Sequence, residues 1–304
     1  MNIKLEIITL GILALMLVAM SCSLDTKSTV SVERAIHETF PLIVMDSDAN
    51  EVVFEKPPER IVALDSDSVE ILFAIGEGER LVATHDFVSY PPEADKIARV
   101  GTAFALNLEQ IVEIEPDLVY LFYDRFRPEL EALGLRVLYI NTLNSDISGV
   151  MDHFRLWGKI AGNSEAAEYQ ISLFEGRLSD LQEKLQNVDK GPRVYHHTFE
   201  FWAPGSDKII GEIYSLLKAE LVTADLSGFQ QISQEIVVEQ DPEVIVAGEF
   251  SIQEVRDNAA LQSTTAVQQG NVVMPSRGSL SVAGPRLIYA IEELAEFLYP
   301  ELFP

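Results

Sequence analysis

Arg60-Ile61-Val62-Ala63-Leu64, then Asp65-Ser66-Asp67-Ser68-Val69-Glu70, then Ile71-Leu72-Phe73-Ala74-Ile75-Gly76 is the stretch that decides the fold. The first segment is a short apolar run and reads as a buried strand. Asp67-Ser68-Val69-Glu70 has the form of a capping box, with Glu70 three residues after Asp67. The apolar residues after it continue as a helix that stops at Gly76. A buried strand leading straight into a capped helix is the opening of an α/β unit.

The same alternation continues on both sides. Leu81-Val82-Ala83-Thr84 is a second strand, and Tyr90-Pro91-Pro92 closes the loop after it. Leu118-Val119-Tyr120-Leu121 and Val137-Leu138-Tyr139-Ile140 are further strands, with Glu129 to Leu133 helical between them. Such alternation predicts a parallel sheet. Ile147 to Ala161 is a helix stopped by Gly162-Asn163. From Ser164, taken as its cap, to about Gln186, the apolar positions Ala167, Ile171, Phe174, Leu178, Leu181 and Leu185 keep helical spacing. At 1.5 Å per residue this helix spans roughly 35 Å, the width of a domain. It suits a spine between two α/β regions, and Gly191-Pro192 ends it. A second α/β unit follows with strands at Arg193-Val194-Tyr195, Glu243 to Ala247 and Asn271 to Met274, and Pro285 to Leu298 is a closing helix.

An internal echo supports two related lobes. Asn107-Leu108-Glu109 leads to Pro116-Asp117-Leu118, and Ser233-Gln234-Glu235 leads to Pro242-Glu243-Val244. In each, a cap residue precedes a glutamate by two and a proline follows it by seven. The expected plan is a signal peptide over 1–21, a lipidated tether over 22–39, an N-terminal lobe over 40–163, a spine over 164–190 and a C-terminal lobe over 191–304. A ligand cleft is expected between the lobes.

The chain has 304 residues, a net charge of -26 and 47% hydrophobic residues, which is ample for packed cores and hostile to phosphate. Nucleic acid is therefore excluded as a partner. Cys22 is the sole cysteine, so no disulfide framework and no thiolate metal site exists. It ends an apolar run from Ile7 to Ser21 that fits a signal sequence and is too short for a comfortable membrane span. Ala19-Met20-Ser21-Cys22 is similar to a bacterial lipoprotein signal, which puts the lipid on Cys22 and holds the protein outside the cytoplasm on the membrane. The alternative is a plain secretory signal with an incidental cysteine.

Enzyme signatures are missing. The sequence has no phosphate loop, no His-Glu-x-x-His and no nucleophile elbow. Of the five histidines, His37 falls in the tether and His153 on a helix, neither pointing at a site. His196-His197 ends a strand, so the two rings should face opposite sides, one of them buried. A direct metal site built from His85, His196 or His197 is the alternative reading.

Taken in order, several segments carry a family resemblance: Pro57-Pro58-Glu59-Arg60-Ile61-Val62, Glu70 to Gly76, Tyr90-Pro91-Pro92, Asn107-Leu108-Glu109, Glu115 to Val119, Ile232 to Glu235, Gly284-Pro285-Arg286 and Pro300 to Phe303. From about Phe40 to Phe303 the chain resembles the class III periplasmic binding proteins, which deliver ferric siderophores, haem or cobalamin to ABC importers. The resemblance implies two α/β lobes on one rigid spine helix, a ligand held between them by aromatic and polar side chains, and no enzymatic activity. It also implies a permease dimer with ATPase subunits as partner, docked through Glu109 and Glu235, one per lobe. The receptor is expected to act as a monomer, with no cofactor beyond the lipid on Cys22. A same-fold module for another ligand, or for sensing without transport, is the alternative.

Open α/β sheets place ligands beyond the C-terminal ends of their strands. By that rule the candidate ligand contacts are Ser66, Phe87, Phe104, Phe122, Tyr123 and Arg125 in the first lobe, and Glu200, Trp202, Phe229 and Arg277 in the second. Trp202 and Phe229 are expected to face Phe104 and Tyr123 across one cleft. Cobalamin receptors tend to carry tryptophan at positions similar to Phe104, Phe122 and Phe229. Arg125 and Arg277 would suit the carboxylate or catecholate oxygens of a ferric siderophore.

Overall fold

The computed structural model describes residues 38–102, 104–142, 146–248 and 251–303. The signal peptide over 1–21, Cys22, His37 and most of the tether lie outside the described residues. Among the described residues no helix is long and apolar enough to cross a membrane.

Two parallel sheets organise the chain. The first has five strands: β1 (Ile61–Ala63), β2 (Leu81–Thr84), β3 (Ala98–Arg99), β4 (Leu118–Leu121) and β5 (Val137–Tyr139), in the order β3-β2-β1-β4-β5. All their pairings are parallel, with Ile61 opposite Leu118 and Val119 opposite Val137. The second sheet has β6 (Arg193–His197), β7 (Glu220–Leu221), β8 (Val244–Ala247) and β9 (Val272–Val273), in the order β7-β6-β8-β9, again all parallel. Each sheet reverses strand order beside its first strand, and an open α/β sheet leaves a crevice at that point.

The helices that matter for the site are α1 (Ser66–Ala74), α2 (Leu108–Glu113), α3 (Ile147–Ala161), α4 (Ser164–Leu185), α5 (Ile209–Leu216), α6 (Gln234–Gln240) and α7 (Leu287–Leu298). The chain passes from one sheet to the other through α3 and α4. Gly162 ends α3 at φ 75°, a left-handed conformation that glycine adopts without a Cβ penalty. The 22 residues of α4 bury Ala167, Ile171, Phe174, Leu181 and Leu185, one stripe of the helix. That stripe belongs to an apolar core that runs without a break from Ile61 and Trp157 through Phe174 to Val194 and Ile291. Side chains from both halves are thus packed into one body.

Several local expectations are corrected. Asp65, not Asp67, caps α1: its Oδ2 accepts from the Ser68 backbone N–H (3.2 Å) and the Ser68 hydroxyl (2.9 Å). The helix therefore starts two residues before the expected box, and Glu70 turns inward instead of reaching back to a cap. Asn163 rather than Ser164 caps α4 through its side-chain oxygen. The spine ends at Leu185, ahead of Gly191-Pro192.

The internal echo is visible in the backbone. Asn107 caps α2 by accepting from the Gln110 N–H at 3.1 Å, while Ser233 precedes α6 with extended backbone and no side-chain cap bond. Both helices then turn through a non-glycine residue with positive φ, Glu115 at 51° and Asp241 at 41°, each directly before its proline. Helix, left-handed residue, proline and buried strand recur in the same order in both halves.

Candidate ligand-binding site

A cavity of about 450 Å³ opens at the C-terminal ends of the strands. The first sheet contributes residues that follow β1 (Asp65, Ser66, Asp67), β2 (His85, Phe87), β4 (Phe122) and β5 (Thr142), with Phe104 from the turn beyond β3. The second half contributes His196 and Thr198 at the end of β6, Ile209 and Ile210 at the start of α5, and Phe229. Leu280, Ser281, Ala283 and Leu287, leading into α7, complete the wall. Phe87 and Phe104 are each 70% exposed and Phe229 45%. Large apolar rings left in water around one opening mark a surface that expects a partner.

The imidazoles in the wall are neutral. His85 Nδ1 accepts from the Phe87 backbone N–H (3.2 Å), so Nε2 carries the proton toward the Ser66 hydroxyl at 3.2 Å. Burial, helped by the Arg99 charge, pushes His85 down to about 4. His196 turns its Nδ1 to the Tyr214 hydroxyl (2.9 Å) and falls to about 4 by burial and then by the His197 charge. His197 faces the other side of β6, with Nε2 3.0 Å from Glu254 and Nδ1 3.2 Å from the Tyr195 hydroxyl. The strand-end pair thus divides between the cavity and the interior.

The acids in the wall are Asp65 and Asp67. Burial raises Asp67 to about 6, so it is ionised at neutral pH. Asp65 is 4% exposed, and burial followed by the charge of Asp67 raises it well above the usual carboxylate range. Its Oδ2 is held by Ser68 and its Oδ1 has no hydrogen-bond partner. Ser68 is a buried hub: it also accepts from Trp157 Nε1 (2.7 Å) and lies 3.3 Å from His153 Nε2, which is 2.8 Å from the Tyr120 hydroxyl.

His153 is buried where α3 packs against α1, behind the cavity wall rather than in it. Asp65, Asp67 and His153 bring one ligating atom each within 4.8 Å of one another. That set has the donor chemistry for a divalent ion, although the Tyr120 hydroxyl already engages His153 Nε2.

Of the ten ligand contacts expected from sequence, the structure gathers Ser66, Phe87, Phe104, Phe122 and Phe229 in the cavity wall. The other five lie outside it. Tyr123 packs against Phe104 with ring centroids 6.4 Å apart. Arg125 sits over the Phe126 ring at 5.6 Å. Glu200 uses its backbone, donating to Glu254 (3.2 Å) and accepting from Gln231 Nε2 (2.9 Å). Trp202 stacks on Phe199 at 6.4 Å. Arg277 is consumed by Glu296 (2.6 Å) and Glu293 on α7. The expected four-ring arrangement thus reduces to Phe104 and Phe229 in one wall, with Tyr123 behind Phe104.

A family model described as a periplasmic binding protein matches residues 61–275, which spans both sheets and every wall residue before the 280–287 segment. The chain belongs to the periplasmic binding protein family. It is 27% identical over 302 residues to an uncharacterized ABC transporter substrate-binding lipoprotein of Bacillus subtilis, covering 95% of each chain. It is 26% identical to a cobalamin-binding protein of Halobacterium salinarum, covering 84% of this chain and 74% of the relative. The crystal structure of the periplasmic vitamin B12-binding protein of Vibrio cholerae superposes with a TM-score of 0.70 at 25% identity, covering 82% of this chain and 99% of that one.

In this periplasmic binding protein, the strand-end rule applied to β5 and β6 leads to Thr142 and Thr198 as well. Asp65 and Asp67, which follow β1 closely, obey it as well, Asp67 being the residue read as a helix cap. Ile209, Ile210 and the 280–287 segment carry no local signal. Their place in the wall comes from how α5 and α7 pack.

Proposed function

We propose that this protein is the lipid-anchored receptor of an ABC importer, capturing a metal chelate between its two sheets and presenting it to a permease dimer with its ATPase subunits. The observation that carries this reading is the cavity itself, walled by strand ends of both halves and rimmed by Phe87, Phe104 and Phe229. Rings from two sides suit a bulky chelate, with roughly 0.5–1.5 kcal/mol per aromatic contact.

Among the described residues no lysine or arginine lines the cavity. Ferric catecholates and the propionates of haem are anionic and ask for cations, so the wall favours a corrinoid or a ferric hydroxamate. The relatives named for cobalamin support the same choice. A thermal-shift panel of cyanocobalamin, haemin, a ferric trihydroxamate and a ferric catecholate tests it. A ligand at a hundred times its dissociation constant stabilises by ~2.7 kcal/mol. Stabilisation by the first or third compound is expected, and a response to the catecholate alone would overturn the choice.

Lipid attachment is proposed at Cys22, and Cys22→Ala should free the protein from membranes. Glu109 and Glu235 stand exposed in the first turns of α2 and α6, the helices of the internal echo. We assign them to permease docking, where such charges orient the encounter more than they add affinity. Glu109→Ala with Glu235→Ala is expected to leave ligand affinity unchanged while abolishing transport. Loss of ligand binding in that double variant refutes the assignment.

A further inference from the structure

We propose that the cavity reads its ligand through two neutral hydrogen-bond donors, one from each half, His196 Nε2–H and the Ser66 hydroxyl, and so takes a chelate that carries amide-type carbonyl oxygens. The inference rests on the chelate-receptor reading above and names the groups by which that ligand is recognised.

His196 carries the argument. It stands near the end of β6 in the cavity wall and is 6% exposed. Its Nδ1 lies 2.9 Å from the Tyr214 hydroxyl, and the two rings meet edge to face at 5.8 Å. Nε2, at the far end of the ring, has no hydrogen-bond partner among the described residues. The polar side-chain atoms there that are both sealed and unpartnered are Asp65 Oδ1, Glu70 Oε2, Arg99 Nη1 and Arg193 Nε. Nε2 is not one of them, so it keeps accessible surface, and the opening beside it is the cavity that His196 lines. Buried polar groups are normally paired, and a nitrogen held this way by a buried ring is placed for a ligand atom.

The hydrogen-bond network assigns the proton. Burial holds the ring neutral, down to about 4, so it carries a single N–H. Tyr214 is 1% exposed, and its hydroxyl has no other partner among the described residues. With the proton on Nδ1, the buried O–H of Tyr214 would lack an acceptor, which is costly. The hydroxyl therefore donates to Nδ1, and Nε2 presents its N–H to the cavity.

The first half reaches the same result with one more link. His85 Nδ1 accepts from the Phe87 N–H, so its Nε2–H donates to the Ser66 oxygen at 3.2 Å. The Ser66 hydrogen is left without an acceptor among the described residues, on a half-buried side chain that lines the cavity. Thr198 is the contrast, since its hydroxyl donates to the Trp202 carbonyl at 2.7 Å and has no hydrogen to spare. Two outward donors in a described wall without lysine or arginine suit neutral acceptors, and the ionised Asp67 beside them repels a carboxylate. Amide carbonyls are such acceptors. The side arms of a corrinoid and the backbone of a peptide-borne ferric hydroxamate each carry several.

The probes are cyanocobalamin and ferrichrome, a ferric trihydroxamate on a cyclic peptide. In one arm the intact chain, isotope-labelled in its histidine nitrogens, is observed by NMR at pH 7.5, and His196 is identified by the signals missing from His196→Gln. The Nε2–H tautomer is expected in the free protein. Saturation with a probe that binds should shift the Nε2 proton and keep it in place. An Nδ1–H tautomer overturns the inference, and so does loss of the Nε2 proton on binding, which would make that nitrogen a metal ligand.

In the other arm, dissociation constants are measured by titration calorimetry for the intact chain, for Ser66→Ala, and for His196→Phe combined with Tyr214→Phe, where the second change removes the hydroxyl that the first would orphan. Each is expected to bind about tenfold more weakly. Unchanged affinity in either overturns the paired donors while leaving the receptor reading in place. The NMR arm uses the intact chain and decides the matter even where a variant fails to fold. If neither probe binds the intact chain, the corrinoid or hydroxamate reading falls, and this inference falls with it.

Discussion

The N-terminal cap of α1 and its middle bury the same chemistry and resolve it differently. In the middle Glu70, 2% exposed, meets Arg286 from the segment before α7, and the guanidinium also lies 4.0 Å over the Tyr90 ring. At the N-terminal start Asp65 and Asp67 meet hydroxyls, an imidazole and open cavity, with no lysine or arginine among the described wall residues. Burial raises all three carboxyls, and Arg286 opposes the shift at Glu70 alone. The difference separates an acid paired within the fold from acids left beside a cavity. The Glu70 pair pins the first sheet's helix to the closing segment of the chain, 216 residues away in sequence.

Four variants can break or sharpen that contrast. Arg286→Ala should have the largest effect, because it leaves Glu70 buried and unpaired. A loss of about 3–5 kcal/mol in urea unfolding is expected. A loss under ~1 kcal/mol would mean the pin is ornamental.

Asp67→Asn should act in the opposite direction. Its carboxyl ionises near 6 when folded, against a reference value of 3.8. The unfolded chain therefore releases this proton first, and the fold loses stability as pH rises from about 4 through 6. Removing the acid should stabilise the protein at pH 7.5 by up to roughly 3 kcal/mol, less the ~0.3–1 kcal/mol that an acid gives a helix's first turn. The gain should vanish below about pH 4. Equal melting temperatures of the two proteins across pH 4 to 8 would place Asp67 in water.

Ser68→Ala tests the hub between the cap and Glu70. It strips a donor from Asp65 and an acceptor from Trp157 Nε1, both buried, and should cost about 1–3 kcal/mol. The smallest effect is expected from Glu70→Gln combined with Arg286→Met. Removing both partners of a buried pair leaves no orphaned charge, so a change within about 1 kcal/mol is expected. A cost equal to that of Arg286→Ala would show that the pair itself, rather than the orphaned acid, holds the segment.

The local order of the chain was legible before any tertiary contact was known. The apolar runs at Ile61, Leu118 and Val137, the stripe from Ala167 to Leu185, and the stop at Gly162 all reappear as elements. Caps were displaced by one or two residues, because Asp65 and Asp67, or Asn163 and Ser164, offer nearly equivalent side chains and only the backbone angle decides between them. The strand-end rule gathered Ser66, Phe87, Phe104, Phe122 and Phe229. Arg125, Trp202 and Arg277 lie outside the cavity wall, each against a neighbouring ring or acid.

What the sequence determined by itself is what depends on near neighbours: strand and helix periods, turn residues, the repeat of helix and proline, and a net charge that turns phosphate away. Only the tertiary structure decided which charges are in water. Asp65, Asp67 and Glu70 stand among many acids in the sequence and differ from them by desolvation, a property of the packing around a group. The partner of Glu70 lies at the far end of the chain, and the described wall beside the two aspartates holds no lysine or arginine. No periodicity records either fact, because periodicity describes a segment's own faces and not which distant segment covers them.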